Sequence, residues 1–407
     1  ERFTMIHRFF EQIRVGLDRQ NRLRQSAEKK ALVDLMVIAE RAFQRKLLKK
    51  DRDSLLSLYE KSRASGQSIE SSLRGVMIAI LMSPDFIYRY RVTSAGKATA
   101  LLSSHEFASR LSYFLWSTLP DTQLRSLADA DQFSPKDLES SQLILKQSRR
   151  MLKNVHVEDF CREFFGHWFR YHNFLEKENI NTKDFPQFDM KLRESMCEEP
   201  TRFAKDIIQN DLSILNFLNA DHTFVNSTLA KHYGGKILES YRKQLSKKGE
   251  AESDPRQVWE KIEGIRSEDR GGILGMAVIL TTSSSGSRTS PVKRGFWVAR
   301  HLLGQHFPPP PEDVPELPKS EKESTKTIRE LLKEHAAHQQ CAMCHKHFDF
   351  LGLSMEGFDP IGRRRTKDLA GRVVDNSWDL REETNRGMSS LIDFVVKERK
   401  QQSVKLF

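Results

Sequence analysis

Four cysteines in 407 residues are too few to staple a fold, which excludes a disulfide-built scaffold. Long hydrophobic runs are also missing. The most apolar stretch, Gly75 to Met82, falls far short of the roughly 20 residues a membrane span needs. Period-two alternation is rare, which argues against an all-β architecture or a doubly wound sheet. There is no glycine-rich phosphate loop, no GxSxG elbow, no HExxH pair and no arrangement that reads as a catalytic triad. Acid is scarce relative to base, giving a formal charge of +11. That excess is scattered, with its densest patches at Arg45–Lys50, Lys293–Arg300 and Arg363–Arg365. No paired zinc finger or aromatic RNP-like strand accompanies it. The reading is a solvated basic surface able to meet acidic partners or anionic polymers, with no nucleic acid among the partners. The chain opens at Glu1 without a secretory signal, which reads as a trimmed piece and leaves the compartment to other arguments.

What is present is helix. With 38% apolar and 30% charged residues, the composition is globular, and the length suffices for two or three domains, each with a core. Leu35, Met36, Ala39, Phe43 and Leu47 recur at spacings of three and four, predicting a helix over 33–48. A second helix is predicted from Ile69 to Met82, ended by Ser83-Pro84, because proline disfavours a helical residue before it. Ser103 and Glu106 form a capping-box pattern ahead of a third helix, and Pro120-Asp121 restarts a short one carrying Leu124 and Leu127. Aromatics crowd 155–175, and the plain reading is a helix buried on two sides. Residues 187–218 read as a helix pair, Tyr241–Glu260 as an exposed linker, and Ser283–Ser287 as flexible. The four prolines 308–311 must be extended, so they read as a semi-rigid spacer before a C-terminal module starting near Thr325. The expected fold is mostly α: a multi-helical body with a small module of the c-type cytochrome kind.

The run Cys341-Ala342-Met343-Cys344-His345 carries the chemistry. Two thiols three residues apart, with histidine next, can place both sulfurs on the vinyl groups of one porphyrin while His345 reaches the iron. One covalent haem c is therefore expected, with Cys341, Cys344 and His345 as its attachment and proximal ligand. Zinc on Cys341, Cys344, His345 and His347 is an alternative, although the donors crowd each other. A redox dithiol would need a βαβ setting that is absent, and a purely structural pair completes the set. For the sixth iron position, His335 lies on an apolar helical stripe with Ile328, Leu331 and Leu332, where histidine is usually a core residue. Met355 offers a thioether, His338 and His347 are weaker choices, and an open position would favour peroxide chemistry. Cys161 and Cys197 stand alone and read as packing residues. Arg288 and Arg294, in the run Arg288-Thr289-Ser290-Pro291-Val292-Lys293-Arg294-Gly295, and Arg363 could grip an anion such as a haem propionate; a basic helix start in water is the plainer reading.

Several runs together resemble one family. These are Leu81-Met82-Ser83-Pro84-Asp85-Phe86-Ile87-Tyr88-Arg89, Ser109-Arg110-Leu111-Ser112-Tyr113-Phe114-Leu115-Trp116-Ser117 and Thr223-Phe224-Val225-Asn226. They continue with Arg270-Gly271-Gly272-Ile273-Leu274-Gly275, the Arg288–Gly295 run, the CxxCH, Asp349 to Leu353, Glu356, and Phe358-Asp359 with Ile361-Gly362-Arg363-Arg364. The resemblance is to exported, cytochrome-like proteins of planctomycetes and related bacteria, with domains of unknown function numbered 1595, 1592, 1588 and 1585. It implies a helical domain at 1–100, a second at 101–240, a CxxCH domain at 262–370 that includes the proline-rich linker 307–318, and a shortened or divergent closing segment at 371–407. Such proteins often carry a further cytochrome segment in front, and none is expected within these 407 residues. The resemblance places histidine where His335 stands and more often leucine where Met355 stands, favouring His335 as sixth ligand. It implies a cytochrome-like protein in a periplasmic or exported setting; the function expected is a c-type haem protein that transfers electrons with an unidentified redox partner or forms the redox part of a larger assembly. The competing functions are a haem-dependent oxidoreductase acting on polysaccharide or peroxide, and a non-redox helical scaffold with a zinc-binding or structural CxxCH. Whether the chain is an enzyme is left open.

Overall fold

Helix dominates, as the periodicity predicts. The computed structural model describes residues 2–88, 102–133, 138–250, 258–308, 317–337, 339–380 and 383–398. They fall into two compact units, Glu1–Met151 and Leu152–Phe407. Among the described residues no helix is long and apolar enough to cross a membrane.

In the first unit, α1 (Arg2–Phe43), α2 (Lys49–Ala64) and α3 (Ile69–Met82) bury one apolar stripe each. Leu35, Met36 and Ala39 of α1 meet Leu55 and Tyr59 of α2 and Val76 and Ile80 of α3. The expected start at 33 is late because the preceding turns of α1 are largely exposed and leave no burial stripe to read. α3 has the predicted bounds, with Ser68 accepting from the Ser71 amide and Ser83-Pro84 ending it. α4 (Ser104–Trp116) opens on the expected capping box, in which the Ser103 amide donates to Glu106 at 2.8 Å and the Glu106 amide donates back to Ser103 at 3.2 Å. Asp121 caps α5 (Thr122–Asp129), whose Leu124 is fully buried, and α6 (Leu138–Leu152) follows.

The second unit has one continuous core running from Val157 to Val395. Its first helix runs from Val157 to Trp168 through a wider π-type turn at Cys161–Phe165. Phe165, Phe169 and Phe174 are buried as the two-sided reading expects, Phe165 stacking on Phe217 at 4.8 Å, while Phe164 stays exposed. Cys161 is buried and Cys197 half-buried; neither is in a disulfide, and burial pushes both thiols up to about 12. α7 (Met190–Gln209) is followed by a two-stranded antiparallel pair, β1 (His222–Val225) with β2 (Glu260–Glu263). Between those strands lie α8 (Ser227–Tyr233) and α9 (Gly235–Lys248). The expected linker at Tyr241–Glu260 is corrected at both ends. Ile237, Tyr241 and Leu245 form a buried i, i+4, i+8 stripe on α9, the Tyr241 hydroxyl donates to the Val258 carbonyl at 3.0 Å, and residues 251–257 lie outside the described part.

α10 (Ala277–Thr282) leads into Ser283–Ser287, which is no flexible link. Ser283, Ser284 and Ser287 are buried, Ser283 and Ser284 donating back to the carbonyls of Ile279 and Leu280, and the Gly286 amide donates to Asn179. Small hydroxyl side chains fit here because they satisfy nearby carbonyls without adding bulk. α11 (Pro291–Trp297), α12 (Ile328–His335), α13 (Gln339–Leu353), the hairpin of β3 (Ser377–Leu380) and β4 (Glu383–Arg386), and α14 (Gly387–Glu398) complete the unit. Residues 309–316 of the expected spacer lie outside the described part. The segment after it shares the core of residues 157–303: Phe348, Leu351, Met355, Phe358 and Leu391 pack in one cluster with Trp297 and Leu302.

Candidate functional site

α13 carries the CxxCH run, and its position is fixed by a close crossing with α11. A Cβ built on Gly295 would lie 1.8 Å from the Phe348 carbonyl oxygen, and one on Gly352 would lie 1.8 Å from that of Pro291. Only glycine at both positions lets the two backbones meet this closely. Arg294 pins the far end of α13: its guanidinium donates to the carbonyls of Met355 (2.8 Å), Phe358 (2.9 Å) and Asp359 (2.8 Å) and to the Ser284 hydroxyl (3.2 Å). Burial pulls it down to about 10. Thr289 and Arg365 both donate to Glu356, and Arg365 also pairs with Glu321; Thr289, Glu356 and Glu321 are buried and the Arg365 side chain is 7% exposed. Ser290 caps α11 by accepting from the Lys293 amide. The Arg288–Gly295 run thus has an internal structural task.

On α13, the ring of His345 faces Asp349 one turn on, with Nδ1 at 2.9 Å and 3.0 Å from the two carboxylate oxygens. Their side chains are 12% and 16% exposed. With the Nδ1 hydrogen donated to the carboxylate, Nε2 is left as the nitrogen lone pair, which is how metal-binding imidazoles are commonly oriented. Thr327 and Glu330 open α12 with a capping box, and α13 follows it closely in the chain. This helical hairpin brings the His335 ring edge-on to His345, with centroids 4.9 Å apart. Phe348 also adjoins His345 at 5.1 Å, and Phe296 and Phe307 pack against Phe348 as an aromatic wall. Cys344 is half-buried and not in a disulfide; the Cys341 backbone lies in α13, while its side chain and all of His338 lie outside the described residues.

The other expected site residues lie elsewhere. Met355 is 2% exposed and packs in the core, with its carbonyl taken by Arg294. Arg294 donates through its terminal nitrogens to carbonyls and to Ser284, Arg288 donates to the Thr289 carbonyl, and Arg363 pairs with Asp359 at 3.0 Å. His347 is exposed beside Phe307. The structure therefore brings together His335, His345 and Cys344, and adds Asp349, which sequence reasoning did not single out as functional. Its signal was available: a carboxylate four residues after a histidine on one helix face is within reach of the ring. Among the described residues no group of three or more His, Cys, Asp and Glu side chains is placed to hold a metal ion.

A buried polar cluster lies deeper in the unit. Thr223 and Tyr233 each donate to Glu199 at 2.6 Å, and Arg270 lies 3.9 Å over the Tyr233 ring and 4.7 Å over Phe358. Arg270 donates to the carbonyls of Gly275 and Gly362, tying the Arg270–Gly275 run to the loop after α13.

Three family models match the chain. Residues 35–90 match one described as Protein of unknown function (DUF1595), residues 102–234 one described as Protein of unknown function (DUF1592), and residues 270–368 one described as Protein of unknown function (DUF1588), short name PSCyt3. The third match spans α11, α12, α13 and the loop that Arg294 holds. No curated protein and no solved structure matches the chain.

Proposed function

From a chain that carries these three planctomycete-type domain families in sequence, we propose a haem protein of the periplasm or another exported setting, moving electrons between partner proteins. Residues 328–355 act as its cytochrome-like part. The observation that carries this reading is the His345 ring, anchored through Nδ1 on Asp349 with His335 edge-on beside it. The donor set suits a covalent haem: a thiol outside any disulfide at Cys344, a second cysteine one turn earlier on the same helix, and an imidazole oriented for coordination. When bound, the haem supplies one-electron exchange at its iron. Cys341 and Cys344 would hold it covalently, each thiol adding its sulfur and hydrogen across one vinyl group, which needs no oxidant. His345 would hold the iron, and His335 is the candidate for the second histidine on it. Phe348, Phe296 and Phe307 keep water from one side of the site. The exported setting follows from the attachment chemistry.

The test is expression of the full chain with a periplasmic haem-attachment system, then a denaturing gel stained for haem. A coloured band is expected, lost in C341S/C344S. A colourless wild-type band contradicts the proposal, and zinc retained in stoichiometric amount would replace it with the metal-scaffold reading.

A further inference from the structure

We propose that Asp349 is a positioning residue that makes His345 a strong electron donor and sets the centre at low potential; this rests on the haem reading above. In many haem sites the proximal imidazole donates its Nδ1 hydrogen to a neutral acceptor. Here the acceptor is a carboxylate, and it takes that hydrogen with both oxygens near, at 2.9 Å and 3.0 Å. A charged acceptor makes a stronger hydrogen bond than a neutral one. It draws the Nδ1 proton outward and leaves more electron density on Nε2, which stabilises the more positive, oxidised iron.

Two further observations keep that charge effective. Both side chains are largely buried, so water screens the pair weakly. Among the described residues no lysine or arginine pairs with Asp349, so its charge is not spent on a cation. The i, i+4 spacing on α13 also makes the pair rigid, because the helix is seated by the Gly295–Gly352 crossing and held at its end by Arg294. The aromatic wall acts in the opposite sense, since an apolar surround disfavours the oxidised state's added charge. Asp349 is the group in contact with the ligand itself, and its effect dominates.

The experiment uses the full haem-loaded chain and the D349N and D349E variants. Each is titrated at one fixed pH by visible absorption against redox mediators. The ferric forms are then measured by electron paramagnetic resonance, with cyanide added if they are high-spin. D349N is expected to raise the midpoint potential and weaken the axial ligand field read from the g values; D349E is expected to restore most of both. Haem-loaded D349N with unchanged midpoint and g values overturns this inference and leaves the haem reading standing. A wild-type protein that matures without haem overturns both. Should D349N fail to load, the wild-type ferric spectrum decides: an axial field of imidazolate-like strength supports the inference, and one typical of a neutral-acceptor histidine overturns it.

Discussion

Arg294 and Glu199 show how single buried charges set the tolerance of this chain to change. Replacing Arg294 with methionine strands the carbonyls of Met355, Phe358 and Asp359 and removes one of the two cations beside Glu356, the one whose nitrogen lies 3.8 Å away, leaving Arg365. R294M should therefore lose about 3 kcal/mol or more in urea unfolding, and R294K should recover little, because one ammonium cannot span those acceptors. If Arg294 instead held a propionate, R294M would change the haem spectrum with stability unaltered. Glu199 is pushed up to about 7 by burial, with Thr223 and Tyr233 donating to it. The native state then holds a proton that the unfolded chain releases near its ordinary value of about 4.3, so this group costs stability as pH rises through that window. His232 works in the other direction. Burial pulls it down to about 3, so it costs stability as pH falls below about 6.5. Denaturant unfolding of E199Q relative to the parent should show a difference that grows in favour of E199Q from about pH 5 to about pH 7. A pH-independent difference would contradict that account.

At this scale the sequence was informative where chemistry is local. His345, next to Cys344, lies against His335, ten residues before it, because the two histidines sit on successive helices. Arg288, Arg294 and Arg363 looked like anion grips because a guanidinium's partner is invisible in one dimension. Their partners are carbonyls and Asp359, brought in by the fold.

Among the elements, the crossing of α11 and α13 is the joint on which the site depends. Placing a methyl at Gly295 or Gly352 meets a carbonyl oxygen at 1.8 Å, which no side-chain adjustment relieves because the obstacle is backbone. G295A and G352A should each cost at least about 3 kcal/mol, the upper end for overpacked cores, and should reduce haem loading, measured as the ratio of haem absorbance to protein. Normal stability in either variant would show that the helices pack less closely than described. Helices with a clean stripe and punctuated ends were legible, α3 being the clearest case: apolar spacing, Ser68 before it and Pro84 after it. α9 was not, since nine of its residues from Gly235 to Lys248 beyond the Ile237, Tyr241 and Leu245 stripe are charged or polar and mask the period. The strand His222–Val225 was too short for alternation to stand out, and its partner is about forty residues away.

The whole chain folds as two units with separate cores, one built around Leu35, Tyr59 and Ile80 and the other spanning Val157 to Val395. Thermal unfolding should therefore not fit a single two-state transition, and calorimetry should show a van't Hoff enthalpy below the calorimetric one. Covalent haem should raise the transition of residues 152–407, because it stays attached on unfolding while its bond to His335 would need the native arrangement. A mostly helical composition was legible from periodicity. The sharing of one core across the proline run was not, because Phe348, Leu351 and Met355 carry no mark of which distant residues they meet.

The most direct measurement is the visible spectrum of the dithionite-reduced full chain, matured with a haem-attachment system, together with its haem content after denaturation. The account predicts one covalent haem per chain and the sharp, split absorption of a low-spin centre with two imidazole ligands, replaced by a high-spin spectrum in H335A. A colourless protein, or haem that washes out on denaturation, would contradict it.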